Sequence, residues 1–156
     1  MRSADVLLRE PVPGHGRAIT TMGDLVHEYR NGGCPTFAYA LHLELGYAME
    51  AIFELDPSAE DDDDCLVHVY GKAPDGRLYD VAGEITMDEM VRTFVLTGLP
   101  DGDEVWTDSV DTRRVKRLMY LCACRLYPGE LAALRRHIRA HPVHYGACSP
   151  SKRRAS

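Results

Sequence analysis

Asn31-Gly32-Gly33-Cys34-Pro35-Thr36-Phe37-Ala38-Tyr39-Ala40-Leu41-His42-Leu43-Glu44-Leu45-Gly46 decides how the rest of the chain is read. A loop of one asparagine and two glycines runs into a cysteine, then a proline, then about three turns of mostly apolar sequence. Proline fits the first helical position, where its missing N–H has no partner in any case. Gly46 can close the other end in a left-handed conformation. The pattern predicts a helix with Cys34 at or just before its N-terminus. At 100° per residue, Cys34, Phe37, Ala38, Leu41 and Leu45 share a face, while Tyr39 and Leu43 part-fill the other side. Such a helix is central rather than superficial. A thiol at its N-terminus faces the positive end of the helix dipole, which favours thiolate. The competing reading is a small buried hydrophobe, a common role for a free cysteine.

Upstream, residues 1–21 hold Pro11, Pro13, Gly14 and Gly16 and read as an irregular arm with a short extended piece at Val6-Leu7-Leu8. Thr20 or Thr21 can cap a helix from Met22 to Arg30, with Leu25, Val26 and Tyr29 inward. Downstream, Tyr47 to Leu55 suits a strand. Glu60-Asp61-Asp62-Asp63-Asp64 reads as a solvated acidic loop without EF-hand spacing. Cys65-Leu66-Val67-His68-Val69-Tyr70 and Arg77-Leu78-Tyr79-Asp80-Val81 flank a Pro74-Asp75-Gly76 turn and form a hairpin. Thr86-Met87-Asp88-Glu89 is a capping box that opens a helix to about Thr97. Gly98 to Gly102 is loop, and Val105-Trp106 is a short strand or an irregular packed segment. Val115, Leu118, Met119, Cys122 and Leu126 keep to one side of a helix that begins at Thr112 and is broken by Pro128. Another helix spans Glu130 to His141. The organisation is therefore an arm (1–21), one domain (22–148) and a disordered basic tail (149–156).

The 156 residues suffice for one domain with a core. A net charge of −6 disfavours nucleic acid as a partner, and no apolar run is long enough to cross a bilayer. The start, Met1-Arg2-Ser3-Ala4-Asp5, lacks the apolar core of a signal peptide. Five cysteines without framework spacing read as reduced thiols. The expected location is the cytoplasm, and the oligomeric state is left open.

The hairpin gives Cys34 its company. With Gly71 opposite Arg77, His68 opposes Asp80 on one face, their Cβ atoms roughly 5 Å apart. A carboxylate beside an imidazole fixes its tautomer and supports its protonated form, as a base for a thiol nucleophile requires. Taken singly, His68 is a core histidine and Asp80 a turn cap.

Gly32-Gly33-Cys34-Pro35-Thr36-Phe37-Ala38, Val67-His68-Val69-Tyr70 and Asp75-Gly76-Arg77-Leu78-Tyr79-Asp80 together resemble the papain-like superfamily, most closely its compact transglutaminase-like members. The likeness covers residues 22 to 85. It implies an α+β fold: a central helix carrying the cysteine, packed on a small antiparallel sheet, with C-terminal helices. It implies thiol chemistry on an amide or ester bond of a protein or peptide, with Cys34 as nucleophile, His68 as base and Asp80 as orienting acid. No cofactor is implied. Papain-type proteases place a glutamine shortly before the cysteine, whereas this chain offers Glu28 and Asn31. Asn31 and the backbone at Gly33–Cys34 are the oxyanion and substrate candidates, since two aimed donors are the usual minimum. Gly32 and Gly33 would let a substrate approach the sulfur.

Two alternatives stand beside this. His137, His141, His144 and Cys148, with Cys122 and Cys124 upstream, hold zinc-type ligands but match no standard spacing. On a helix, Cys122 and Cys124 would point about 200° apart. The other alternative is a non-catalytic binding protein on the same scaffold.

Overall fold

Thr21 and Pro35 open two successive helices, α1 (Met22–Arg30) and α2 (Cys34–Leu45). The Thr21 hydroxyl accepts from the Asp24 N–H at 3.1 Å. Pro35 starts α2 with no side-chain cap, and Gly46 ends it at φ 72°. The computed structural model describes residues 6–14, 18–95, 104–124 and 126–147. Cys148, the loop at Gly98 to Gly102 and the tail 149–156 lie outside the described residues.

Against α2 lies an antiparallel sheet of β3 (Ala48–Glu54), β4 (Leu66–Lys72), β5 (Leu78–Asp80), β6 (Gly83–Ile85) and β7 (Val105–Val110), in the order β6-β5-β4-β3-β7. Three further helices are α3 (Met87–Phe94), α4 (Thr112–Leu121) and α5 (Glu130–Ala140). The class is α+β, with the cysteine-bearing helix packed on a small antiparallel sheet. Among the described residues, no helix is long and apolar enough to cross a membrane.

α2 is buried almost all round its first two turns, from Cys34 to Leu41 apart from Tyr39, because it divides the core between two clusters. Phe37, Ala40 and Leu41 pack with Leu25 and Tyr29 of α1 and with Leu134 and Ile138 of α5. Cys34 and Ala38 pack with Ala51, Phe53, Val69, Val115 and Leu118 on the sheet and α4. A third cluster joins Ile52 and Tyr70 to Met90 of α3.

Polar ties fix the helices. Glu44 of α2 accepts from Arg135 at 3.2 Å and from Arg139 at 2.7 Å, both on α5. The acidic stretch is not a free loop. Asp61 caps a 3-10 turn over Asp62–Cys65, and Asp61 and Asp63 meet Arg117 and Arg114 of α4.

Several expectations are corrected. The arm is not irregular: β1 (Leu7–Val12) and β2 (Ile19–Thr21) pair antiparallel, and Val12 is fully buried. α3 stops at Phe94 rather than Thr97. Val105-Trp106 begins a six-residue strand paired along the length of β3. α4 ends at Leu121, where Ala123 turns left-handed at φ 55°, so Leu126 is not on the helix.

Candidate active site

The hairpin register differs from the expected one by two residues. Gly71 pairs with Tyr79 and Lys72 with Leu78, and the ladder stops there. Asp80 is thus a diagonal rather than a direct neighbour of His68. The contact survives because a two-residue slip keeps every side chain on its own face. His68 Nε2 lies 3.2 Å from Asp80 Oδ2.

Asp80 is held from three sides. Arg30, at the end of α1, donates to it twice, at 3.0 and 3.3 Å, and the Ala82 N–H donates at 2.9 Å. Burial alone would push its carboxyl up. The bonds to His68 and Arg30 outweigh that and hold it below the usual carboxylate range. The carboxylate is therefore ionised and accepts from the His68 Nε2–H; in the neutral imidazole, Nδ1 is then the lone-pair nitrogen. Phe94 of α3 stacks on the imidazole at 4.1 Å, and the Arg30 guanidinium sits over the same Phe94 ring. Sequence reasoning missed Arg30 and Phe94. Neither carries a local signal, and both reach the site from other elements.

His68 is completely buried, and its Nδ1 is the one buried side-chain polar atom without a hydrogen-bond partner among the described residues. Cys34 does not supply that partner. Its side chain, 5% exposed, lies in the α2–sheet cluster, with the Val69 backbone N–H as a donor to the sulfur. Burial pushes the thiol up to about 12 despite that donor and its place at a helix start. Local sequence predicts a lowered value because the dipole is visible there and burial is not.

Comparison with protein-family models, with curated proteins and with solved structures yields no match.

The oxyanion candidates are placed differently from each other. Asn31 Nδ2 donates to the His27 carbonyl at 2.7 Å, closing the end of α1. Gly33 is needed for space, since a Cβ there would come within 2.8 Å of Tyr29 Cδ1 and 2.9 Å of the Glu28 carbonyl. Both line a cleft of about 320 Å³ at the α1–α2 junction, together with Thr36, Cys122, Cys124 and Glu130.

The C-terminal histidines have other partners. Tyr145 donates its hydroxyl hydrogen to the Val81 carbonyl at 2.9 Å, so its oxygen accepts from the His137 Nε2–H, also at 2.9 Å. His141 Nδ1 bonds the His137 carbonyl at 2.8 Å, and His144 bonds the Val81 backbone. Among the described residues, no group of three or more His, Cys, Asp or Glu side chains is placed to hold a metal ion.

Proposed function

We propose that the protein is a cysteine-dependent hydrolase or acyltransferase of papain-like type, acting on an amide or ester bond of a protein or peptide. Cys34 is the nucleophile, His68 the base and Asp80 the orienting carboxylate. One observation carries the reading: a fully buried imidazole bound to an ionised carboxylate through Nε2, with Nδ1 left unpaired. An unmade hydrogen bond on a buried acceptor costs about 1–3 kcal/mol. Such a nitrogen is in the state a general base requires. The order of Cys at the start of α2, His on β4 and Asp on β5 adds the resemblance to the superfamily.

The burial of Cys34 selects between two starting states. A thiol held near 12 is neutral at pH 7, so the resting pair is thiol and imidazole rather than an ion pair. Once the sulfur reaches His68 Nδ1, a contact this structure does not make, the proton moves to that nitrogen as the sulfur attacks the carbonyl carbon. The S–C bond forms, the carbonyl π pair moves to oxygen, and the tetrahedral oxyanion collapses to expel the leaving group. That group takes the proton from His68. Water or an amine, deprotonated by His68, attacks the acyl-enzyme and releases Cys34. Asn31 and Gly33 line the cleft beside the start of α2, and Cys34 is not among its lining residues, so the carbonyl reaches the sulfur only when the α1–α2 junction opens.

The burial of Cys34 equally favours a second reading, a binding protein that keeps the scaffold without the chemistry. p-Nitrophenyl acetate distinguishes them in a Cys122→Ser/Cys124→Ser background. The enzyme reading expects a nitrophenolate burst of one equivalent, acyl mass on Cys34, no burst in Cys34→Ala and a much slower one in His68→Ala. A folded protein that gives no burst, and whose Cys34 takes iodoacetamide only after unfolding, is a binding protein.

A further inference from the structure

The turn Cys122-Ala123-Cys124 takes no part in the chemistry above. On a continuous helix these thiols would diverge, but α4 ends before them. Cys122 caps the helix through its N–H to the Leu118 carbonyl, and the Cys124 N–H returns to the Met119 carbonyl at 2.9 Å. Between them Ala123 adopts φ 55°, the one positive φ at a non-glycine residue among the described residues. A left-handed alanine costs roughly 1–2 kcal/mol. The reversal brings the Cys124 sulfur to 3.9 Å from the Cys122 carbonyl and sets both side chains on one cleft.

Cys124 has one hydrogen and two acceptors in reach, the Gly32 carbonyl at 2.8 Å and the Cys122 carbonyl at 3.9 Å. Both thiols are partly exposed and line the cleft at the α1–α2 junction. Cys34 and Cys65 are enclosed, at 5% and 6% exposure. Among the described cysteines the accessible pair is therefore Cys122 and Cys124, which line one cleft and are open to a small molecule.

We propose that Cys122 and Cys124 form a redox-active dithiol that reduces hydroperoxides and closes to an intrachain disulfide. The Gly32 carbonyl at 2.8 Å engages the Cys124 S–H and holds its proton, which assigns the attacking sulfur to Cys122. The neighbouring Cys124 side chain also draws the Cys122 thiol below its usual value. The Cys122 thiolate attacks the terminal peroxide oxygen. An S–O bond forms, the O–O bond breaks, and hydroxide or alkoxide leaves and takes a proton. Cys124 then gives up its proton and attacks the sulfenic sulfur, forming the S–S bond and releasing water. Two thiols lose two electrons and the peroxide gains them. Closure also removes the S–H that reaches the Gly32 carbonyl, two residues before Cys34.

Hydrogen peroxide and the full chain test this. Cleavage after Arg117 and Arg125 puts both thiols on one tryptic peptide, Leu118–Arg125. After peroxide treatment and a maleimide quench, that peptide is expected to lose two hydrogens and take no maleimide. Dithiothreitol should reverse the change. The rate should exceed that of free glutathione by at least about tenfold. Cys124→Ser should instead accumulate sulfenic acid on Cys122, trapped by dimedone. Cys65→Ala, at an enclosed thiol away from the cleft, should oxidise at the wild-type rate. A peptide that stays reduced while other cysteines oxidise, a rate no faster than glutathione, or a disulfide to any other cysteine overturns the proposal.

Discussion

Asp80 joins three groups of different origin: the end of α1, the β4 imidazole and its own turn at Ala82. Removing one partner of a buried, hydrogen-bonded charge cluster costs about 3–5 kcal/mol. Asp80→Ala is therefore expected to lower the urea-unfolding free energy by about 3 kcal/mol. Arg30→Ala should cost less, because the Arg30 side chain is 24% exposed and water takes over part of its role. The sign with pH follows from the depressed folded value. The Asp80 contribution is complete above the unfolded value of about 3.9 and is lost as pH falls through the folded one. If Asp80→Ala unfolds at the wild-type urea midpoint, the cluster does not hold the site. His68 and Asp80 were legible as a pair because strand alternation survives an even slip in register. Their third partner was not legible, since nothing in Tyr29-Arg30-Asn31 says which carboxylate a helix-ending arginine reaches. The height of the Cys34 pKa was hidden for the same reason: it is set by Val69, Ala51 and Phe53, which lie far away in sequence.

At the scale of elements, the junction between α1 and α2 sets where Cys34 sits. Gly32 and Gly33 serve it in different ways. Gly32 has φ 106° and open space around its Cβ position, so Gly32→Ala should cost only the backbone strain, roughly 1–2 kcal/mol. Gly33 has an ordinary φ of −87°, but its missing Cβ is where α1 approaches. Gly33→Ala should push α2 away from the Glu28 carbonyl at a cost of about 1–3 kcal/mol and change the reactivity of Cys34 toward iodoacetamide. Gly32→Ala should leave that reactivity alone. Equal alkylation rates in the two variants would show that the junction does not position the sulfur. A second tie is the seat of α4. Arg114 bonds Asp63 and Asp108 and lies over the Phe53 ring. Arg114→Ala should lower stability by about 1–2 kcal/mol, and salt should shrink the difference because the cluster is partly exposed. Helices with end signals, Thr21, Pro35, Gly46 and the Thr86–Glu89 box, were legible to within a residue or two at the signalled end. The end of α4 was not. Its apolar spacing runs on to Leu126, and the stop comes from a left-handed alanine and a bond to Gly32, neither of which leaves a periodic mark. β6 is three residues long, and such strands exist through their neighbours rather than through propensity.

Across the whole molecule, the titrating groups bound stability from both sides of neutral pH. His137 is buried beside His141 and His144, and burial with their charges lowers it to about 4. The unfolded value is about 6.5. The unfolded chain therefore binds a proton first, so the His137 contribution is complete above pH 6.5 and is lost as pH falls toward 4. A displacement of that size corresponds to roughly 3 kcal/mol. Below that range the carboxylates held low by their partners, Asp80 by His68 and Arg30 and Glu44 by Arg139 and Arg135, continue the loss. On the alkaline side the order reverses. Cys34 is held near 12 against about 8.5 in the unfolded chain, so its contribution is complete below 8.5 and declines as pH rises. Maximal stability should therefore form a plateau between about pH 6.5 and 8.5, with an acid limb that starts well above the carboxylate range. Thermal melts by circular dichroism from pH 3.5 to 10 measure this directly. In His137→Gln, which keeps a donor for Tyr145 but binds no proton, the acid limb should become shallower below pH 6.5, where His144, also lowered by burial, still contributes, while the alkaline limb stays in place. An acid limb unchanged by that substitution would assign it to His144 and the carboxylates. It would also mean that the imidazole under α5 takes up its proton without disturbing the Tyr145–Val81 bond that joins α5 to the sheet.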